Sequence, residues 1–260
     1  MSHGRVRLAR IVGPLLLLSL ALPLACAPGA GTTPGAEVET IKIGGLFPFT
    51  GALSEFGAEF ERGARLAEQH LKDAGVPVEL VVGDSETNPT AAVGAARKLV
   101  ETDRVHALVG PAASSSTQAV AESVTINAGV PQVSPSATSP LLTSLQADQG
   151  KDFLFRTCPS DALQGVVLGR LARSEGYATA SVVYVDNAYG QGLLENFERS
   201  FTAAGGRVLA KVPHPEAGLP SYVAELQRAV SGNPDVLVAI SYPEHGEVYL
   251  KEAVEGNFIK

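Results

Sequence analysis

From Thr40 onward, short apolar runs alternate with stretches of helical period, and few residues separate them. Ile41–Leu46 is apolar enough for a buried strand, and Glu59–Leu71 sets Phe60, Ala64, Ala67 and Leu71 at helical spacing with charges opposite. Gly75 and Pro77 then break the chain before a strand over Val78–Val82, which ends at Gly83-Asp84. Thr90–Glu101 predicts a helix with Val93, Ala96 and Val100 on one face, and His106–Val109 predicts a third strand. Ser115–Asn127 follows as a third helix closed by Gly129, and Val130–Val133 as a fourth strand. This order with short connections is that of an α/β fold whose parallel sheet carries helices on both faces.

Ser139–Gly150 is irregular, Phe153–Arg156 is a short strand, and after Pro159 the rhythm restarts. Asp161–Ser174 is a helix, with Asp161 as its cap and Gly176 as its stop. Strands over Ala180–Val185, Arg207–Val212 and Asp235–Ile240 alternate with helices over Gln191–Ala204, Ser221–Val230 and Glu244–Glu255. Two α/β lobes are expected, 40–157 and 158–260. The second has three strands, with Ile259-Lys260 as the start of another, which is thin for a doubly wound lobe. The expectation is that this lobe is incomplete at Lys260.

The N-terminus reads as an export signal over residues 1–25. Arg5, Arg7 and Arg10 precede the apolar run Ile11–Ala25, which is too short to span a bilayer comfortably. Leu22-Pro23-Leu24-Ala25-Cys26 resembles a bacterial lipoprotein box, with Pro23 where Leu is usual, so Cys26 is the expected lipidation site. The rival is cleavage after Ala25-Cys26-Ala27, which leaves Pro28 just past the cut. Residues 26–39, rich in Gly, Pro, Ala and Thr, read as a flexible tether to the membrane. The chain would then be periplasmic or on the cell surface. Cys158 would be the one remaining cysteine, a small buried hydrophobe, with no disulfide framework.

The first 25 residues hold three Arg and no acid, so the rest carries 17 basic against 27 acidic residues, a poor balance for binding nucleic acid. Enzyme motifs fare no better. Gly190-x-Gly192 has Glu195 where a dinucleotide fingerprint needs its third Gly. There is no Gly-x-Ser-x-Gly elbow, no Walker loop and no His-Glu-x-x-His. No enzymatic activity, cofactor or metal is expected. His3, His70, His106, His214 and His245 read as solvated, with His106 at a strand edge. His245 and Glu247, two apart on a helix, do not share a face. Glu59, Glu61 and Glu68 with Arg62 and Arg65 read as a solvated helix face, and Phe153 and Phe155 as core or hinge packing.

Two loops stand out. Val109-Gly110-Pro111-Ala112-Ala113-Ser114-Ser115-Ser116-Thr117 and Val133-Ser134-Pro135-Ser136-Ala137-Thr138 each follow a short apolar run. A strand ending in a small-residue loop at a helix start gathers free N–H groups and hydroxyls, which suits a carboxylate; a serine-rich helix cap is the plainer alternative.

Further motifs recur in order: Ile41-Lys42-Ile43-Gly44, Thr50-Gly51, Phe56-Gly57, Gly63-Ala64, Gly83-Asp84, the two serine loops, Asp186-Asn187-Ala188-Tyr189-Gly190 and Tyr242-Pro243-Glu244. From Thr40 to Lys260 this set resembles the type I periplasmic binding proteins, specifically the branched-chain amino-acid receptors of ABC importers. The resemblance implies two Rossmann-like lobes closing on a ligand in the cleft. It implies ligand contacts at Phe56, Ser114, Ser115, Ser136, Ala137, Thr138, Tyr189 and Ser241. Ser114 would hold a carboxylate through hydroxyl and N–H, and the Ser136 carbonyl would take an ammonium. Thr138 would donate and accept with both, while Phe56 and Tyr189 would cover the ligand. Ser241 stands where those receptors have a tyrosine, and their ammonium-pairing acid would fall beyond Lys260. The implied partners are an amino acid, amide or small carboxylate and an ABC permease, the chain acting as a monomer. The alternative is the ligand-sensing domain of a receptor or regulator.

Overall fold

The computed structural model describes residues 39–259; the export signal, the Cys26 lipidation site and the tether all but its last residue, Glu39, lie outside them, as does Lys260. Five parallel strands form the first sheet: β1 Ile41–Phe47, β2 Val78–Asp84, β3 Ala107–Val109, β4 Gln132–Ser134 and β5 Leu154–Arg156, in the order β2-β1-β3-β4-β5. Gly45 pairs with Val109, Val109 with Val133 and Ser134 with Arg156, so β3, β4 and β5 end within a residue of one another while β1 runs on to Phe47 beside Asp84.

Helices cross over between these strands. They are α1 Gly57–Asp73, α2 Pro89–Arg97, α3 Ser114–Val120 and the short α4 Ile126–Ala128. Asn88 caps α2 by accepting from the N–H groups of Thr90 and Ala91. A wide π-type turn over Ala121–Thr125 joins α3 to α4, and Gly129, left-handed at φ 67°, ends the run. Leu46, Ala92, Ala96, Leu99, Leu108 and Val120 pack together as the core between this sheet and its helices.

The second sheet has three parallel strands, β6 Thr179–Val185, β7 Arg207–His214 and β8 Val236–Ile240, in the order β7-β6-β8. Helices α5 Asp161–Ser174, α6 Ala188–Ala203, α7 Val223–Val230 and α8 Pro243–Glu255 flank it. Val182, Leu193, Phe197, Phe201 and Ile240 form its largest core, with Phe197 and Phe201 stacked at 5.3 Å. No helix among the described residues is long and apolar enough to cross a membrane.

Four local expectations need correction. The cap of α5 is Ser160, whose Oγ accepts from Ala162 N, because Ser160 keeps an extended backbone while Asp161 has already turned helical. Residues 139–150 are not wholly irregular, since Pro140–Ser144 and Gln146–Asp148 are 3₁₀ turns. Phe153 packs against Ala121, Ile126 and Leu145, but Phe155 is 49% exposed. The alternation of β5, an edge strand, puts it on the uncovered face. Glu68 is not part of a solvated face. It binds Arg65, Lys72 and the N–H of Leu80, and the Lys72 ammonium, the Leu80 N–H and the Arg65 guanidinium hold its carboxyl down at about 2.

Candidate functional site

Both serine loops leave the same end of the first sheet. After β3 the chain turns through Gly110, whose N–H donates to the Val133 carbonyl of the neighbouring strand β4 at 2.8 Å. The Pro111 carbonyl accepts from Thr117 Oγ1 at 2.9 Å and from Ser134 Oγ at 2.6 Å, which locks the loops side by side. α3 begins at Ser114, so the first-turn amides have no carbonyl partner inside the helix.

Three hydroxyls on this wall differ in where their protons go. Ser114 Oγ accepts from Ser139 N at 3.2 Å and keeps its own proton to give. Ser136 Oγ donates to the Ala112 carbonyl at 3.1 Å, and Thr138 Oγ1 donates to Asp161 Oδ2 at 2.6 Å. The latter two therefore offer lone pairs. Burial raises the Asp161 carboxyl, while the Thr138 hydrogen bond and the Arg156 charge oppose the rise.

The facing wall comes from the second sheet. Asn187 Oδ1 caps α6 by accepting from Tyr189 N and Gly190 N, both at 3.0 Å. Its amide donates to Tyr242 Oη at 2.9 Å and to Glu216 Oε1 at 2.7 Å. The Tyr242 hydroxyl also donates to Glu216 Oε1, at 3.2 Å. From across the cleft, Ser115 Oγ donates to the same oxygen at 2.5 Å. The rings of Tyr189 and Tyr242 stack at 5.8 Å. Burial pushes the Tyr189 phenol up to about 12 and that of Tyr242 higher still, so both rings are neutral.

Between the walls lies a cavity of about 280 Å³. Leu53, Phe56, Phe60, Tyr189 and Tyr242 supply its apolar surface. Ser114, Ser136, Thr138, Gln164 and Ser241 supply its side-chain hydrogen-bonding groups, and among the described residues no charged side chain lines it. That is the format of a small-molecule pocket, mostly apolar with a few placed polar groups.

Six of the eight expected contact residues line this cavity: Phe56, Ser114, Ser136, Thr138, Tyr189 and Ser241. Ser115 and Ala137 do not. One residue along a helix turns a side chain by about 100°, and Ser115 faces Glu216 instead. Ala137 is fully buried, with its carbonyl accepting from Arg156 and from the Cys158 thiol. That thiol is half-buried rather than in a core. The spacing hinted at Phe60, one turn beyond Phe56, and Tyr242 stood in the motif Tyr242-Pro243-Glu244 without being named as a contact, whereas Leu53 and Gln164 carried no signal.

The histidines also need correction. His214 is 1% and His245 3% exposed, and their rings meet edge to face at 5.2 Å. Strand alternation turns His214 inward alongside Val212, and His245 sits on the first turn of α8 against Tyr222. His106 is indeed at a strand edge, where Nδ1 accepts from Lys42 N. Among the described residues no three His, Cys, Asp or Glu side chains group so as to hold a metal.

Burial lowers His214, and burial with the neighbouring His214 lowers His245 to about 4 from the ordinary 6.5. Between those values the unfolded chain binds more protons than the folded one, so stability is complete above about pH 6.5 and falls as pH drops toward 4. Thermal unfolding should show stability declining through that window, by at most about 1.4 kcal/mol per pH unit for each histidine, with the midpoint falling accordingly. Asp161, raised by burial, works in the opposite sense at the acid end. His245→Leu should flatten the decline; an equally steep profile in that variant would remove His245 as its cause.

A cavity set between two parallel sheets and walled by hydroxyls and aromatic rings is suited to holding a small polar molecule. The chain belongs to the periplasmic binding protein family, whose model matches residues 40–258. It is similar to the leucine-, isoleucine-, valine-, threonine- and alanine-binding protein of Pseudomonas aeruginosa, at 31% identity over 80% of this chain and 52% of that protein. It is similar to the chemotactic signal transduction system substrate-binding protein BasB of Halobacterium salinarum, at 29% identity over 83% of this chain and 53% of the other. Among solved structures, the branched-chain amino acid transporter substrate-binding protein LivJ of Streptococcus pneumoniae, in complex with isoleucine, matches with TM-score 0.71 and 28% identity. That match covers 85% of this chain and 63% of LivJ. The chain spans about half the length of the curated relatives it matches. These relatives are solute-binding proteins, not enzymes.

Proposed function

We propose that this chain is the ligand-binding part of an exported lipoprotein that captures a small carboxylate bearing a hydrogen-bond donor and delivers it to an ABC permease. An α-amino acid is the first candidate. The observation that carries this is the split polarity of an uncharged cavity. Ser114 and the first-turn amides can donate to a carboxylate, while Ser136 and Thr138, their protons spent, can accept from an ammonium. A charge-assisted bond of this kind contributes roughly 1.5–3 kcal/mol, so neutral groups suffice without a buried Arg. The similarity to a protein named for leucine, isoleucine and valine supports the choice of ligand.

In this proposal residues 1–25 direct export, Cys26 carries the lipid, and residues 26–39 form the tether. Residues 40–157 and 158–260 act as two lobes whose closed form the ligand stabilises. The similarity to BasB supports a second use of the same capture, reporting the ligand to a signalling partner.

A thermal-shift screen of lipid-free protein against branched-chain amino acids, other small carboxylates and amides tests the ligand. A ligand at a hundred times its Kd adds about 2.7 kcal/mol and raises the melting temperature. No shift with any of them sinks the amino-acid assignment. Permease and ATPase genes beside this one would favour transport over signalling.

A further inference from the structure

His214 stands behind Ser241, a cavity residue, and the geometry fixes which of them holds the proton. Nδ1 of His214 lies 3.1 Å from the Pro215 carbonyl and Nε2 lies 3.0 Å from Ser241 Oγ. A carbonyl can only accept, so Nδ1 carries the ring proton. In the neutral ring Nε2 is then a bare lone pair, and Ser241 must donate to it. The hydroxyl of Ser241 is thereby used up, and what it turns to the cleft is oxygen lone pairs.

The ring has little freedom to do otherwise. Tyr222 meets it edge-on at 5.1 Å and His245 at 5.2 Å. Neither nitrogen of His245 has a hydrogen-bond partner among the described residues, so His245 does not compete for those of His214. Burial of His214 favours its neutral form.

We infer that His214 is a positioning residue for ligand specificity: by accepting the hydrogen bond of the Ser241 hydroxyl it turns that oxygen's lone pairs to the cleft, so the site selects a carboxylate that brings an N–H donor to Ser241. This rests on the amino-acid reading proposed above. With Thr138 and Ser136 also presenting lone pairs, a carboxylate lacking that donor leaves acceptors desolvated and unpaired, and a site built to bond such a group rejects the analogue without it.

The tautomer is read directly by long-range proton–nitrogen NMR of His214 in ligand-free protein. The expected result is a protonated Nδ1 and an unprotonated Nε2; a proton on Nε2 overturns the inference whatever the ligand. Specificity is read by titrating L-leucine and 4-methylpentanoate, which differ by the ammonium, into the wild type, Ser241→Ala and His214→Phe. The preference for leucine should fall at least tenfold in both variants. If His214→Phe folds poorly, Ser241→Ala alone decides, and an unchanged preference there refutes the role. A wild type that binds neither compound removes leucine as the ligand, and the nitrogen spectra still decide the tautomer.

Discussion

Gly110→Ala should cost the fold about 3 kcal/mol or more, the sum of a left-handed backbone penalty of roughly 1–2 kcal/mol and an overpacking cost of similar size. The residue holds φ 106°, where only glycine is at ease, and an added Cβ would collide with the Leu46 carbonyl oxygen. Neither party can yield cheaply. Leu46 is in the middle of the sheet on β1, and the loop on the other side is fastened to its neighbour by Gly110 N and Pro111 O. For a chain of this size the melting temperature should drop by roughly 6–12 °C. Ligand affinity should fall too, because Ser114 rides on the same loop. Differential scanning calorimetry of the variant measures the first effect, and a loss below 1 kcal/mol would mean the close approach to Leu46 is not maintained in solution.

Ser114→Ala should lower ligand affinity at least tenfold, on the order of 1.4 kcal/mol. The hydroxyl proton is the one on the first wall not already given to a protein carbonyl or carboxylate. Truncation also takes the acceptor away from Ser139 N, so the second loop loses a fastening and a loss of about 1 kcal/mol in stability should accompany it. Titration calorimetry with a ligand found by the thermal screen measures the affinity. Ser115→Ala separates loss of the site from loss of closure: that hydroxyl lies outside the cavity and serves Glu216, so the variant should weaken all solutes alike, whereas Ser114→Ala should weaken carboxylates. Unchanged affinity in Ser114→Ala would take Ser114 out of the site.

Much of the architecture was legible because it is periodic. The switch between runs such as Val78–Val82 and helices such as the one around Ala96 needs no distant information, and the serine loops follow strand ends directly. What escaped depends on partners far along the chain. His214 ends a strand whose pattern reads only to Val212, and its burial is decided by Tyr222 and His245. Ser115 and Ala137 neighbour true wall residues in sequence but face other ways, a matter of side-chain direction within one turn. Glu216 sits in a loop with no local pattern at all, and three residues 26, 29 and 101 positions away select it.

That carboxylate has a thermodynamic consequence. Glu216 Oε1 gathers Ser115 from one side of the cleft and Asn187 and Tyr242 from the other, and none of these hydrogen bonds involves a ligand. In the proposed two-lobe closure these bonds favour the shut form, and apparent affinity scales with its population. Occupancy can therefore be tuned through Glu216 for every solute alike, leaving the ranking among solutes to the hydroxyls inside. An evolving receptor of this design can change how long it holds without changing what it holds.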